Sequence, residues 1–200
     1  GKGGSAEEAK HCHSLFPQMD VVGFDYKATT PWDCKDEFLR YITDISMNYD
    51  SVILIANSIG AFFSMNSFTK EQIERAYFIS PIVDMENMIT NMMQWENVTS
   101  EQLKEKGIIP TSFGEYLSWE YLEYVRKHSI DNWNVKTHIL YGENDSFTSK
   151  DIMEKFAQKI GATVTIMKNG EHWFHTEEQM EFLDNWIVEN EYSDVEKQLI

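Results

Sequence analysis

Ser58, Asp145 and His172 are the side chains of this sequence whose types and positions suit nucleophilic catalysis. A serine hydroxyl is a weak nucleophile until a base removes its proton, and the base is typically a histidine that an acid holds in one tautomer. Each of the three residues comes directly after a stretch that is typical of a β-strand. Together they predict acyl transfer through a covalent intermediate on the serine.

Ser58 lies where an apolar strand changes abruptly into a helical run. The mostly β-branched run 52–55 predicts a strand that is buried on both faces. Ala56 and Gly60 place small side chains two residues before and two after the serine, as a sharp strand-to-helix turn requires. This pattern is that of a nucleophile elbow. The simpler interpretation is a serine that only caps the helix.

His172 is the preferred base among the six histidines. It follows a predicted strand, and the adjacent Trp173 would limit the access of water. His175 is the alternative, because it lies only three residues further on, near the start of the last predicted helix. Two of the other four, His128 and His138, are expected to be structural.

Asp145 is the preferred acid, because it follows the strand that precedes the one leading to His172. Asp84, which follows an earlier strand, could orient the histidine in the same way and is the alternative. Glu143 and Glu171 are expected to be solvated loop carboxylates.

Composition and charge restrict the possible partners. The chain has 200 residues and a formal net charge of −16 at pH 7, which argues against nucleic acid and anionic membranes. We therefore expect a small-molecule substrate; the oligomeric state stays open. Only two cysteines are present, so we expect a reducing, cytoplasmic environment. His11, Cys12 and His13 are adjacent and cannot converge on one ion, so we expect neither a metal nor a cofactor.

Predicted strands and helices alternate along the chain. The pattern predicts strands at 20–25, 52–55, 76–80, 137–142 and 163–167, and helices at 6–12, 31–49, 150–160 and 176–188. Residues 85–133 have a helical period and no predicted strand, and the acidic tail 189–200 is expected to be loosely held. Such alternation is typical of an α/β fold with a mostly parallel sheet and helices on both faces. The carboxyl ends of its strands would gather the three candidate residues at one edge.

These features together resemble a small serine hydrolase of the α/β-hydrolase superfamily with a helical cap. The resemblance is carried by the order Ser58, Asp145, His172, by the elbow Ala-Asn-Ser-Ile-Gly and by the opening loop Gly-Lys-Gly-Gly-Ser. It implies a hydrolase core at 1–84 and 134–200, with a cap insertion at 85–133. The oxyanion that forms on attack needs two donors. The backbone N–H of Ile59 is expected to be the first, and the resemblance implies that of Lys2 as the second.

The sequence departs from the family pattern at two places. Ala56 stands where the elbow usually has glycine, which is tolerated because alanine is small. The opening loop lacks the histidine of the usual His-Gly-x-Gly pattern, and the strand that leads into that loop is missing. That strand would lie between the strand ending at Asp25 and the elbow strand. We therefore expect the natural chain to carry an apolar strand and a histidine just upstream of Gly1.

The composition of the region 85–133 indicates which class of substrate to expect. Methionines and aromatic residues recur there at helical spacing, as core or as a pocket, and they suit an apolar acyl group better than a sugar. We expect a carboxylesterase-type hydrolase that cleaves esters of small to medium, mainly apolar acyl groups through an acyl-enzyme. The expected pocket residues are Met88, Met92, Trp95 and Trp173.

Other activities of this fold stay open. Thioesterases and aminopeptidases use the same three groups, and a non-catalytic binding protein is a further alternative, which the intact Ser, Asp and His disfavour. Dehalogenases and epoxide hydrolases are excluded, because they use an aspartate as nucleophile and position 58 is a serine. An aminopeptidase would need acids that hold the substrate amine, and the cap offers Glu86, Glu96, Glu115 and Glu120.

Overall fold

A four-stranded parallel sheet forms the centre of the protein. The computed structural model describes residues 4–198, with side chains up to residue 194. The sheet has the order β1-β2-β5-β6, and its strands are β1 (Ile53–Asn57), β2 (Arg75–Ile79), β5 (Lys136–Gly142) and β6 (Thr163–Met167). All three pairings are parallel, with Asn57 beside Ile79 and Gly142 beside Met167.

Helices cover both faces of this sheet. They are a 3-10 helix (Ala6–Ser14), α1 (Pro31–Ser46), α2 (Ile59–Ser67), α6 (Lys150–Ile160) and α7 (Glu177–Gln198). One apolar cluster joins Phe78 and Ile139 of the sheet to α1, α2 and α6, and a second joins Tyr77 and Leu140 to α7. The two sets alternate along each strand, and the fold is of the predicted α/β class. No helix within residues 4–198 is long and apolar enough to span a membrane.

The ends of several helices follow from the local sequence. The Thr30 side chain accepts a hydrogen bond from the N–H of Asp33, and Pro31 occupies the first position of α1, where its missing N–H costs nothing. Helix α6 ends at Gly161, whose φ of 70° lies in the left-handed region that glycine enters without strain. Both ends lie where the sequence predicts them.

Residues 85–133 contain two short strands that the sequence analysis did not predict. The elements here are α3 (Met85–Trp95), α4 (Ser100–Lys106), β3 (Ile108–Pro110), β4 (Tyr116–Ser118) and α5 (Trp119–Lys127). The two strands pair as an antiparallel hairpin. With three residues each, they are too short to show an alternating pattern. The sequence signal for turns in this region is the presence of Gly107 and Gly114, because both adopt a positive φ that favours glycine.

The stretch 20–25 is not a strand, although its apolar run predicts one. It has no regular secondary structure, and its polar groups bind elsewhere. The Tyr41 hydroxyl donates to the Gly23 carbonyl, and the Asp25 carboxylate accepts from the N–H of Ala6. A strand needs a neighbouring strand for its ladder of hydrogen bonds, and none within residues 4–198 runs beside this stretch.

Strand β1 is half-buried rather than buried on both faces as predicted. Ile53 to Ala56 are all partly exposed, because β1 lies at the edge of the described sheet and pairs only with β2. One cavity is lined both by this strand and by residues 19–24. The strand expected upstream of Gly1 would lie outside the described residues and stays a prediction.

The acidic C-terminal segment is not loosely held as expected, because α7 continues through it to Gln198. Glu191 accepts hydrogen bonds from Nε and Nη2 of the buried Arg75, at 3.1 and 2.5 Å, and from the Tyr77 hydroxyl at 2.7 Å. Burial and this carboxylate together raise the pKa of the Tyr77 hydroxyl. The helix is therefore tied to β2 by a buried ion pair.

A second set of contacts ties α7 to β5 and β6. The Asp194 carboxylate lies 2.5 Å from Nζ of Lys136 and 3.0 Å from Nε2 of His138. The other ring nitrogen of His138 lies 2.7 Å from Oγ1 of Thr163. His138 thus belongs to this structural network, at the end of the sheet opposite to Ser58.

Candidate active site

Ser58 joins β1 to α2 in a backbone conformation that few residues adopt. Its φ of 49° and ψ of −125° are strained for a residue with a side chain. Its hydroxyl makes no capping bond to the backbone amides of α2, all of which are described. Ser58 is therefore not the simple helix cap that the sequence also allowed.

Ser58, His172 and Asp145 form a continuous row of hydrogen bonds. Oγ of Ser58 lies 2.9 Å from Nε2 of His172, and Nδ1 of His172 lies 2.7 Å from Oδ2 of Asp145. An ionised carboxylate can only accept, so Nδ1 carries the proton and Nε2 is free to accept from the serine hydroxyl. The aspartate side chain is fully buried and that of His172 is 14% exposed, so water competes little for these bonds.

The loop that carries Asp145 fixes the direction of its carboxylate. Oδ1 accepts hydrogen bonds from the backbone N–H groups of Phe147 and Thr148, at 2.8 and 3.2 Å, which leaves Oδ2 for His172. The Phe147 ring packs edge-on against the His172 ring, with 4.6 Å between the ring centroids. The sequence analysis missed Phe147; its sequence signal is an aromatic residue two positions after a loop aspartate.

The acid loop and the histidine loop are bound to each other. The N–H of Asn144 donates to the Gly170 carbonyl at 2.8 Å, and Oε2 of Glu143 accepts from the N–H of Asn169 at 2.9 Å. Glu143 is exposed, as expected of a solvated loop carboxylate, and it also ties the two loops together. A Cβ atom on Gly142 would lie 2.4 Å from a carbonyl oxygen of the histidine loop, so only glycine permits this close approach.

The alternative candidates have other partners. His175 is exposed, and its Nδ1 lies 2.7 Å from the Trp173 carbonyl oxygen and 3.6 Å from the exposed carboxylate of Glu171. Asp84 caps α3 by accepting a hydrogen bond from the N–H of Asn87 at 2.9 Å. The structure thus places His172 and Asp145, rather than these residues, beside the serine.

The backbone N–H of Ile59, the expected first oxyanion donor, lies at the start of α2. Ile59 directly follows the serine, and the first N–H groups of a helix have no partner within the helix. Such an amide, at the positive end of the helix dipole, suits a developing negative charge. The expected second donor, Lys2, lies outside the described residues.

A large cavity is lined by both Ser58 and His172. Its volume of about 2380 Å³ exceeds that of a typical ligand pocket, roughly 300–1,000 Å³, because it continues along β1 to residues 19–24. Trp95 and Trp173 are 51% and 77% exposed, which places them at its rim. The four expected pocket residues, Met88, Met92, Trp95 and Trp173, all line the cavity.

The hairpin β3–β4 contributes to the wall near Trp95. The Trp95 ring packs edge-on against Phe113 in the hairpin turn, with 6.1 Å between the ring centroids. Oε1 of Glu96 accepts hydrogen bonds from Oγ and from the N–H of Ser112, at 2.6 and 2.9 Å, and these bonds lower the pKa of the Glu96 carboxyl. The turn is therefore fastened to the end of α3.

Two of the four acids of this region are bound to polar groups of known identity, and the other two line the cavity. Glu96 is bound to the hairpin turn, and Glu86 pairs with Nε of Arg126 at 2.8 Å. Glu115 and Glu120 line the cavity. Within the described part of the chain, no group of three or more His, Cys, Asp or Glu side chains is arranged to hold a metal ion.

Comparison with known proteins places the fold. No family model and no curated protein matches this sequence. Est1E from Butyrivibrio proteoclasticus, solved with ferulic acid bound, is 13% identical with a TM-score of 0.75, over 98% of this chain and 86% of that one. Mouse alpha/beta hydrolase domain-containing protein 10 is 14% identical with a TM-score of 0.68, over 96% and 84%.

A third similar structure is the monoacylglycerol lipase of Paleococcus ferrophilus. It is 14% identical with a TM-score of 0.62, over 94% of this chain and 91% of that one. At such identities the likeness concerns the fold, and it extends over nearly the whole chain. This chain has the α/β-hydrolase fold.

Proposed function

We propose that the protein is a serine hydrolase of the carboxylesterase type, in which Ser58 is the nucleophile, His172 the base and Asp145 the orienting acid. One observation carries the proposal: the row of hydrogen bonds of 2.9 and 2.7 Å begins at a serine in a strained elbow beside an apolar cavity. The monoacylglycerol lipase among the proteins of similar fold supports it.

The reaction begins when Oγ of Ser58 attacks the ester carbonyl while Nε2 of His172 takes the hydroxyl proton. The N–H of Ile59 stabilises the oxyanion of the tetrahedral intermediate. The intermediate collapses, the alcohol leaves with the proton from His172, and the acyl group stays on the serine. Water then attacks this acyl-enzyme with His172 again as base, which releases the acid and restores the serine. Asp145 stays ionised and stabilises the imidazolium in both halves.

The substrates we propose are esters of small to medium, mainly apolar acids, including aromatic ones. Met88, Met92 and Trp95 line the cavity and offer an apolar wall that adapts to the acyl group. Ferulic acid, the ligand in the Est1E structure, is an aromatic carboxylic acid, which supports aromatic esters as candidates. The formal net charge of −16 disfavours anionic substrates.

Two related activities differ in what they require. A thioester would be attacked by the same groups, with a thiol in place of the alcohol. An aminopeptidase would need free acids for the substrate amine, and two of the four candidates, Glu86 and Glu96, are already bound to Arg126 and Ser112. These contacts favour an ester over a peptide.

A fluorophosphonate probe tests the proposal, because it phosphonylates only an activated serine. We expect the wild type to be labelled at Ser58 and Ser58→Ala to be unlabelled, whereas Ser129→Ala, which removes an exposed serine, is labelled normally. A panel of acetyl, butyryl, octanoyl and cinnamoyl esters, with a butyryl thioester beside it, then defines the substrate class. A folded wild type that reacts with neither probe nor esters would show a binding protein instead.

A further inference from the structure

Ser80, the residue that follows β2, is strained, and its own side chain does not explain why. Its φ is 43°, in the left-handed region that is unfavourable for a residue with a Cβ atom. It also precedes Pro81, and the residue before a proline favours an extended backbone. Ser80 is 1% exposed, and its hydroxyl has no hydrogen-bond partner among the described residues.

The backbone on both sides of Ser80 binds the nucleophile elbow. The N–H of Ser58 donates to the carbonyl of Ile79 at 2.9 Å, and the carbonyl of Ser58 accepts from the N–H of Ile82 at 3.1 Å. The N–H of Ser80 donates to the carbonyl of Leu140 in β5 at 2.8 Å, which fixes the turn to the sheet. The N–H of Ser58 is thus bound at the end of β2, and its carbonyl is bound both by Ile82, after β2, and by the N–H of Ala61 in α2 at 3.2 Å.

The positive φ of Ser80 compensates for a hydrogen bond that Pro81 cannot make. Asn57 pairs with Ile79, so the regular parallel ladder would next bind the carbonyl of Ser58 to the N–H of residue 81. Residue 81 is a proline and has no N–H. The left-handed turn at Ser80 redirects the chain, so that the next N–H, that of Ile82, makes this bond instead.

We propose that residues 79–82 form a clamp that holds the nucleophile in its strained conformation, with Ser80 as a positioning residue whose left-handed backbone makes the clamp possible. The catalytic part of this inference rests on the proposed function. A strained residue persists only where its surroundings over-determine it. Without the bond from Ile82, the Ser58 carbonyl keeps only its bond from Ala61, which moves with α2, so the backbone of Ser58 can relax from its φ of 49° and Oγ then leaves its place 2.9 Å from Nε2 of His172.

A substitution series at position 80 tests the clamp. Ser80→Gly enters the left-handed region freely, so we expect kcat and the fluorophosphonate labelling rate within about twofold of wild type and a Tm that is no lower. Ser80→Val carries a β-branched side chain that opposes positive φ, so we expect kcat and the labelling rate to fall at least about tenfold with KM unchanged. Ser80→Ala should lie between them.

Asn97→Val is the matched control for strain as such. Asn97 has a φ of 54° at the end of α3, is exposed, and bonds to Gln94 rather than to the elbow. We expect this variant to melt at a lower temperature while keeping the wild-type kcat and labelling rate.

Hydrogen exchange of the Ile82 amide provides a readout that does not depend on catalysis. We expect this amide to be protected in wild type, Ser80→Gly and Asn97→Val, and to exchange faster in Ser80→Val. If Ser80→Val is unfolded, Ser80→Ala is compared with Ser80→Gly at a temperature where both are folded. Wild-type rates in the valine and alanine variants, or an equal loss of rate in the glycine variant, would overturn the clamp. A protected amide in a wild type that is inert to the probe would contradict the proposed function alone.

Discussion

In the proposed reaction His172 moves the proton in both halves. Its Nε2 lies 2.9 Å from the serine hydroxyl, and its Nδ1 is held by Asp145 at 2.7 Å, so the same imidazole is in place for both steps. His172→Ala should therefore lower kcat for a butyryl ester by about 10⁴-fold or more, as removal of a base from such a row does elsewhere. His175→Ala, the matched variant three residues away, should retain nearly full kcat. Far-ultraviolet circular dichroism checks that both variants are folded. An inactive His175 variant beside an active His172 variant would identify the other imidazole as the base.

At the scale of single residues, the sequence indicates the groups that carry chemistry better than those that support them. Ser58, Asp145 and His172 could be selected because their types are chemically distinctive and each follows a strand. Phe147 and Ile82 contribute a ring edge and a backbone N–H, which residues of many types could supply. Their roles depend on where the folded chain places them, so the residue type alone does not predict these roles.

At the scale of elements, predictability depends on whether an element is stabilised locally. Helix α6 and strand β6 have the predicted bounds, because a glycine cap and an alternating pattern define them. The hairpin β3–β4 depends on pairing between two strands of only three residues each, which leave no alternating pattern. The stretch 20–25 has an apolar run, but among the described residues it has no neighbouring strand to pair with and therefore stays irregular. Helix α7 continues beyond the end of its apolar sequence pattern, at about residue 188, because Glu191 and Asp194 bind residues of the sheet.

Helix α3 should influence which acyl groups are accepted. Trp95 lies at the cavity rim, so Trp95→Ala removes apolar surface that a long acyl chain could cover. We expect KM for an octanoyl ester to rise by about fivefold or more, corresponding to the loss of roughly 1 kcal/mol of apolar burial, and KM for an acetyl ester to stay nearly constant. Met47→Ala, a change at a side chain that is 75% exposed and is not among the cavity-lining residues, is the control. An unchanged chain-length profile with a lower Tm would show that Trp95 serves packing only.

The edge of β1 predicts a gain in stability from an added strand. Within the described sheet β1 pairs with β2 alone, so an added strand could form ladder hydrogen bonds on the other side of β1, each contributing about 0.5–1.5 kcal/mol. We expect a five-residue Val/Ile strand followed by a histidine, placed upstream of Gly1, to raise Tm by several degrees. A Gly/Ser extension of equal length is the control. Equal melting temperatures for the two extended chains would contradict this prediction.

At the scale of the whole molecule, acid should weaken the attachment of α7. Burial alone would raise the pKa of the Asp194 carboxyl, but hydrogen bonds from Lys136 and His138 outweigh burial and lower the pKa from its ordinary value of 3.8. A carboxyl with a lowered pKa in the folded state stabilises the fold above its unfolded pKa, and this contribution is lost as the pH falls through the folded pKa. The stabilisation from Asp194 is therefore present at neutral pH and lost below about pH 4.

Urea unfolding of Asp194→Asn tests this pH dependence. Because Lys136 is half-exposed and can be hydrated, we expect a loss of only about 1–3 kcal/mol at pH 7, the range for a broken buried hydrogen bond. The difference from wild type should shrink as the pH falls below about 4. Asp151→Asn, which affects an exposed pair with Lys155, should change stability little at either pH. A gap that is constant across this pH range would show that the charge of Asp194 is not what matters.

The ion pair between Arg75 and Glu191 can form only late during synthesis of the chain, because Glu191 follows Arg75 by 116 residues. At about 5–20 residues per second, a ribosome needs roughly 6–23 s between them. Until then the guanidinium has only the more exposed carboxylate of its neighbour Glu74, and burying a charge that is incompletely paired is costly. His172 is translated before Glu191, so all three residues of the hydrogen-bonded row exist before the opposite end of the sheet can close. The emergence of α7 from the ribosome, rather than translation of His172, therefore sets the moment at which this end of the sheet can close.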